Sequence, residues 1–386
     1  MNHLKTILLL AGMLAVRPLM AQKTAQQPLN VGGSFLLINP DARSNATGGA
    51  VTGLEPDANA IYANAAKLPF AGDWGASVSY SPWMWDLLDK KTHMAFVSGF
   101  KTFGEQQSLG ASVKYFNYGD VTFRDENGMV LQQYKPREYA VDLSYGRKLG
   151  SQFALAVTGR YIRSELGNGT YNGQLQKPAS AVAGDISLYS QGYANHIEGN
   201  NRWAWGVSFT NIGTKLSYTD DVGSKTFLPM NLRIGGGYTF VRTEDHKFTL
   251  AVDVNKLLVP TPPIYKLDPD GNPTGEIEKG KDPDRSVVES IFTSFSDAPG
   301  GFREEVSEFS FAGGIEYAYQ NNFFVRTGYF YEDPAKGNRQ QFSAGFGVRV
   351  QGFQLDFAYL VPTGGSLRQR KSMNFTIMYT PFRDNR

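Results

Sequence analysis

The sequence predicts an all-β fold, a 14-stranded antiparallel transmembrane β-barrel, and three observations point to it. Short segments alternate strictly between apolar and polar residues, many times over. Past the amino-terminal segment, no stretch approaches the ~20 consecutive apolar residues that a membrane helix needs. The connections between alternating segments are long and short by turns. A barrel carries a weak membrane signal because lipid-facing and lumen-facing residues alternate along each strand.

Composition agrees and excludes other classes. Aromatics make up 13% of the chain, led by 26 Phe and 20 Tyr, which suits girdles at two membrane interfaces. The 38 basic residues nearly balance the 36 acidic ones, so no nucleic-acid surface is implied. With no Cys, the fold needs no disulfide and holds no thiolate-bound metal.

In chain order, residues 1–21 read as an export signal. Lys5 supplies its charge, and Thr6 to Val16 is an apolar run too short to span a bilayer. Leu19-Met20-Ala21 offers the cleavage site, with Gln22 as the first mature residue, and the missing Cys excludes a lipoprotein anchor. Residues 22–72 form an amino-terminal periplasmic or plug segment, rich in Gly, Ala and Asn from Pro40 to Phe70. Asp57 is placed to cap a short helix running through Leu68. The segment is long enough to fill a lumen; the alternative is a loose periplasmic arm. The barrel takes 73–382, and 383–386 is a tail.

The strands are expected to start near Trp74, Thr92, Ser108, Arg137, Gln152, Ala179, Arg202, Met230, Lys247, Glu308, Asn322, Arg339, Gly352 and Ser372. The segment from Arg339 to Val350 is the clearest: Phe342, Ala344, Phe346, Val348 and Val350 share one face, and Gln341, Ser343, Gly345, Gly347 and Arg349 the other. Only one face is consistently apolar, which fits lipid better than the core of a two-sheet sandwich.

Loop lengths sort by parity. Odd-to-even connections are long: Trp83–Lys91, Gly119–Pro136, Gly167–Pro178, Gly213–Pro229, Pro260–Ser307, Glu332–Asn338 and Pro362–Lys371. Even-to-odd connections are tight, as at Gly150-Ser151, Glu244-Asp245, Gln320-Asn321 and Gln351-Gly352. Gln191–Asn201 is the expected exception, a longer periplasmic loop. This sorting puts the long loops outside the cell.

The inward faces carry Lys114, Arg160, Arg233, Arg326 and Arg349 against Asp142, Asp185, Asp253, Glu316 and Asp356. A selective pore usually shows a ring of one sign. A balanced set suggests ion pairs across the lumen and an occluded barrel; the alternative is a wet lumen with dispersed charges.

The outer loop 260–307 is the largest insertion. Its first half is turn chemistry, including Asp268-Pro-Asp-Gly271 and Asn272-Pro273. Asp268, Asp270 and Asn272 lack the spacing and the downstream Glu of a calcium loop, so no metal is expected. In its second half, Val288, Ile291, Phe292 and Phe295 recur at helical spacing behind a capping box, Ser286-Val-Val-Glu289, and Ala298-Pro-Gly-Gly301 ends the helix. That apolar face must cover the barrel mouth or meet a partner. The first outer loop adds Trp83, Met84, Trp85, Leu87 and Leu88, a second candidate contact surface for protein or outer-membrane lipid.

No nucleophile elbow or zinc-protease helix is present. His93 is expected at the outer end of a strand, with His196 and His246 near the periplasm. Enzymatic activity and a cofactor are not expected.

Pro40-Asp-Ala-Arg43, Gly48-Gly-Ala50 and Asp57-Ala-Asn-Ala-Ile-Tyr-Ala-Asn64 resemble the amino-terminal segment of FadL-like barrels. Such barrels commonly have Asn-Pro-Ala where this chain has Asn64-Ala65-Ala66. Further on, Ser294-Phe-Ser-Asp-Ala-Pro-Gly-Gly-Phe302, Glu304-Glu305, Gly314-Ile-Glu-Tyr317, Arg326-Thr-Gly-Tyr329, Lys336-Gly-Asn-Arg-Gln340 and Asp356-Phe-Ala-Tyr-Leu360 are similar to the PorV/PorQ family of the type IX secretion system. The resemblance implies a fourteen-stranded barrel beside an SprA/Sov-like translocon. It implies that secreted cargo is received through its C-terminal signal domain, then passed to an attachment complex of a PorU-type sortase, PorQ and PorZ. The runner-up is a FadL-like transporter of hydrophobic small molecules, whose pocket Phe116, Phe324, Phe330 and Leu360 would line.

Overall fold

The computed structural model describes residues 28–83, 92–124, 129–167, 169–171, 174–195, 200–221, 225–243, 245–364 and 371–381. The expected signal segment, Met84, Trp85, Leu87, Leu88 and His196 lie outside the described residues.

Fourteen antiparallel strands close into one barrel in chain order. They are β1 (Trp74–Pro82), β2 (His93–Phe103), β3 (Gln107–Asn117), β4 (Arg137–Lys148), β5 (Phe153–Glu165), β6 (Ala179–Asn195) and β7 (Asn200–Gly213). Then follow β8 (Asn231–Val241), β9 (His246–Leu257), β10 (Phe309–Tyr319), β11 (Phe323–Tyr331), β12 (Gln340–Val350), β13 (Phe353–Pro362) and β14 (Ser372–Tyr379). Each begins within two residues of its expected start. The seam is β1 on β14, with Val78 opposite Ile377.

Alternation decides which way each side chain faces. In β1, Val78 and Tyr80 are exposed while Ser77, Ser79 and Ser81 are buried. The exposed apolar band faces lipid, and buried small and polar residues face the lumen. Aromatic clusters mark the two rims. Trp74 and Phe353 pack on Tyr379 at the tight-turn end, and His93 lies between Tyr80 and Tyr115 at the other.

The tight turns follow backbone chemistry. Val350 pairs with Phe353 across Gln351-Gly352, and both turn residues have positive φ, 49° and 86°. That is a two-residue turn whose twist matches the strands it joins. The expected long loop at Gln191–Asn201 is corrected. The ladder between β6 and β7 continues to Asn195 opposite Asn200, so only 196–199 connect them. Gly192, Asn195 and Asn200 read as turn formers, but pairing with a neighbour overrides local propensity.

The amino-terminal segment fills the lumen. It carries one short helix, α1 (Ala42–Ala46), and three 3₁₀ turns, Ser34–Leu37, Ala58–Tyr62 and Ala65–Phe70. The expected single helix from Asp57 to Leu68 is two such turns. Asp57 caps the first by accepting from Asn59 N–H; Asn64 breaks the run and caps the second by accepting from Ala66 N–H. Asn64 also donates to Leu188 O at 2.8 Å, which ties the break to the wall. Where the plug crosses β8, Gly53 lies against Gly236 and Gly237 so closely that a Cβ would overlap backbone atoms. The glycine triplet at 235–237 therefore marks the crossing point.

Candidate functional site

The lumen wall and the plug share one set of polar contacts. Arg160 on β5 pairs with Asp142 on β4 at 2.6 Å and Asp185 on β6 at 3.0 Å. It also donates to Asn211 on β7. Asp185 sits at an irregularity in the β6–β7 ladder and accepts from Asn211 N–H at 2.7 Å, replacing a missing rung. Glu316 binds Arg326 at 2.6 Å, Arg326 binds Asp356 at 2.6 Å, and Asp356 accepts from Gln354, which holds Arg349 at 2.8 Å. Arg233 pairs with Asp253 at 3.2 Å.

Sequence reasoning expects these pairs to cross the lumen, and the structure corrects that. Most of these contacts link side chains on the same or neighbouring strands. Asp142 faces Arg160, and Glu316 faces Arg326, in direct register. The plug occupies the middle, so the remaining bonds run to it instead. Arg43 of the plug grips Glu316 through two bonds of 2.7 and 2.8 Å and reaches Asp57 at 2.9 Å. Asp253 accepts from Val51 N–H and Thr52 Oγ1. Ser343 donates to Ala46 O, Ser208 to Ala63 O, and Arg202 to Gly53 O.

Two expected members are not ion-paired among the described residues. Lys114 donates to the plug carbonyls of Leu36 and Ile38, with its ammonium 4.4 Å from the Tyr62 ring centre. Arg349 takes only the neutral Gln354 and lies over Phe324. A plug carbonyl or a ring face replaces the expected carboxylate because burial brings those groups nearer. Within the plug, Lys67 donates to Val51 O at 2.6 Å. The Asp41 carboxyl caps α1, accepting from Ser44 N–H.

Above the plug lies a cavity on the long-loop side. Its lining mixes Leu36, Tyr62 and Phe330 with Arg233, Asn255 and Glu332. Of the four residues expected to line an apolar pocket, only Phe330 does. Phe116 packs on Leu36 and Phe35, Leu360 on Ala42 and Ala46, and Phe324 under two arginines.

The second candidate surface is the long loop between β9 and β10. It carries a hairpin (Ile264–Leu267 with Pro273–Lys279) and two helices, α2 (Val287–Thr293) and α3 (Phe302–Ser307). Bonds from Asp268 to Asn272 and Asp270 N–H hold the hairpin turn, which accounts for that acidic cluster. Ser286 caps α2, accepting from Glu289 N–H. The apolar face of α2 is split. Ile291 joins Val287 against Met230, Leu258 and Val259, because Ser290 turns inward and donates to Leu258 O at 2.9 Å. Val288, Phe292 and Phe295 point outward, and α3 adds Val306 and Phe302. Phe292 is 75% and Phe302 84% exposed, values rare for Phe on a soluble surface.

A buried charge cluster holds this platform. Lys256 lies on the lipid-facing parity of β9, yet the loop folds over it and leaves it buried. It binds Glu308 at 2.6 Å and Glu305 at 3.3 Å. Lys336, from the next outer loop, binds Glu304 at 2.5 Å and Glu308 at 3.1 Å. Glu305 accepts from Ala298 N–H and Glu304 from Gly300 N–H, fixing the Ala298-Pro-Gly-Gly301 bend. Phe302, Glu304, Glu305 and Lys336 stand in the sequence only within the family resemblance, and neither their role here nor Val306 was expected. The signal was there in three acids within five residues, Glu304, Glu305 and Glu308, which need buried partners if the helix packs down.

Trp83, expected on an exposed contact surface, is half-buried and packs edge-on against Phe116 at 5.9 Å. It completes the apolar cluster around Phe35 and Met94 at the outer mouth. His246 bonds Tyr317 Oη at 2.7 Å, an aromatic-belt contact.

Among solved structures, the CymD monoaromatic hydrocarbon channel matches at TM-score 0.50 and 12% identity, over 91% of this chain and 99% of its own. The Pseudomonas putida toluene transporter TodX matches at TM-score 0.49 and 13% identity, over 92% and 99%. At such identity the likeness speaks of fold alone. No curated protein sequence matches. One family profile, described as type IX secretion system protein PorV, matches residues 21–264, more than half of the chain, which takes in the plug and β1 to β9.

Proposed function

Because the chain belongs to the PorV family of the type IX secretion system, as a barrel of the outer membrane, we propose that it receives secreted cargo and hands it on. In this reading cargo arrives at an SprA/Sov-like translocon and is held through its C-terminal signal domain. It is then carried to a PorU-type sortase with PorQ and PorZ. The observation that carries the reading is the outer platform. Five large apolar side chains, Val288, Phe292, Phe295, Phe302 and Val306, are exposed together on a base of buried ion pairs. Large apolar side chains exposed on a firmly held support suit protein docking. Order in the support matters because less entropy is lost when a partner binds.

The test is capture of cargo signal domains from native membranes by the tagged chain. The triple variant Val288→Ser, Phe292→Ser, Phe302→Ser is expected to fold normally and to lose at least roughly tenfold in capture, equivalent to ~1.4 kcal/mol. Unchanged capture by a folded variant counts against the platform as the docking site.

A second reading, transport of hydrophobic small molecules, is favoured by the cavity and by the shared fold of CymD, a monoaromatic hydrocarbon channel. Its lining argues against a hydrocarbon, since Lys114, Arg160, Arg233, Asn211 and Asn255 all face it. A bound alkyl chain in the purified protein, displaced by a hydrocarbon, would favour transport.

A further inference from the structure

Both ends of the strand array lie at the tight-turn mouth, where β1 begins and β14 ends. A chain of this kind is expected to leave its amino terminus in the periplasm. The path of the plug runs the other way. Pro28 to Gly33 touches outer connections. Gly32 N–H donates to Phe227 O at 2.9 Å. Leu29 and Val31 pack with Phe227, Met230 and Leu258, in the cluster that holds Val287 and Ile291 of α2. Leu29 also lines the outer cavity with Glu332 and Arg339.

From there the chain descends. Ala42 N–H meets Thr376, and Thr52 meets Asp253. At the opposite mouth, Glu55, Pro56 and Asp57 share a pit with Arg349, Gly352 and Thr380. The plug then reaches Gly72, whose carbonyl accepts from Thr102 beside the first tight turn.

Distance closes the remaining choice. With the cut expected after Ala21, residues 22–27 precede Pro28. Fully extended they reach at most roughly 20 Å. The apolar band of such barrels is ~25 Å tall, and the lumen beneath is filled by the plug.

We propose that the amino-terminal end of the exported chain is presented at the extracellular mouth, where it forms part of the outer platform. The chain thus threads its own barrel from outside to inside. The strap from Pro28 to Gly33 is the underside of α2 as well as the upper end of the plug. Its part in docking rests on the proposed function; its position at the mouth does not.

The chain has no Cys, so single cysteines report position cleanly. On intact cells, a membrane-impermeant maleimide is expected to label Gln27→Cys as fully as Lys279→Cys on the exposed hairpin. Glu105→Cys, in a tight turn, is expected to label only after permeabilisation. Labelling of Gln27→Cys only after permeabilisation would overturn the proposal. Acylation of Lys23 in the native chain by an impermeant amine reagent, read by mass spectrometry, gives the same answer without a substitution. A bulky polyethylene glycol maleimide on Gln27→Cys is then expected to reduce cargo capture at least roughly tenfold. Surface labelling with undiminished capture would remove the strap from the docking surface. That outcome differs from failure of the apolar triple variant, which would remove the platform itself.

Discussion

Arg160 makes bonds to Asp142, Asp185 and Asn211, and it is 7% exposed. Both carboxylates would be left buried without their cation in Arg160→Leu. Such a loss costs roughly 3–5 kcal/mol, and here it also frees the irregular rung at Asn211. The variant is expected to show a clear fall in the temperature at which the barrel loses its heat-modifiable gel mobility. A midpoint equal to wild type would mean that water replaces the guanidinium. The charged lumen residues were legible from parity alone, because a period of two fixes the face on which each lies. Their partners were not. Arg43 lies on an irregular segment with no period, so nothing in the sequence joins it to Glu316, 273 positions away.

Elements were legible where repetition constrained them and obscure where contacts did. Strand starts and the sorting of loops followed from alternation and turn residues. Inside the long loop one helix was legible, from its capping box, while the hairpin and the second helix were not, and α2 shows the limit. Its apolar positions were visible, but Ser290 and Ser294, both fully buried, decide which side faces the barrel. Lys336 shows how two outer loops are joined. Lys336→Ala removes the cation between Glu304 and Glu308, while Lys256 keeps its own bonds. The expected result is faster trypsin cleavage after Arg285 and Arg303 with the barrel's thermal midpoint nearly unchanged. An equal cleavage rate would show that Lys256 alone secures the platform.

At the scale of the whole molecule, the plug separates the outer cavity from the pit at the opposite mouth. Its bonds to the wall come from β2, β7, β9, β10, β12 and β14, among others, so no single gate is evident. In planar bilayers the intact protein is expected to show no steady conductance of porin size. Removing residues 34–70 should open one if the empty barrel holds its shape, as a heat-modifiable gel band would show. A large steady current from the intact chain would contradict the occluded lumen.

The seam has a consequence for how the molecule is made. Ala42 N–H bonds Thr376, and Asn45 bonds Asn374, so the first α-helix among the described residues touches the last barrel strand. The two lie more than 300 positions apart. Loop closure over that length is slow and comes late. Closing the wall therefore brings the last strand onto the segment that the wall encloses, and the final seam is made in part against the plug itself.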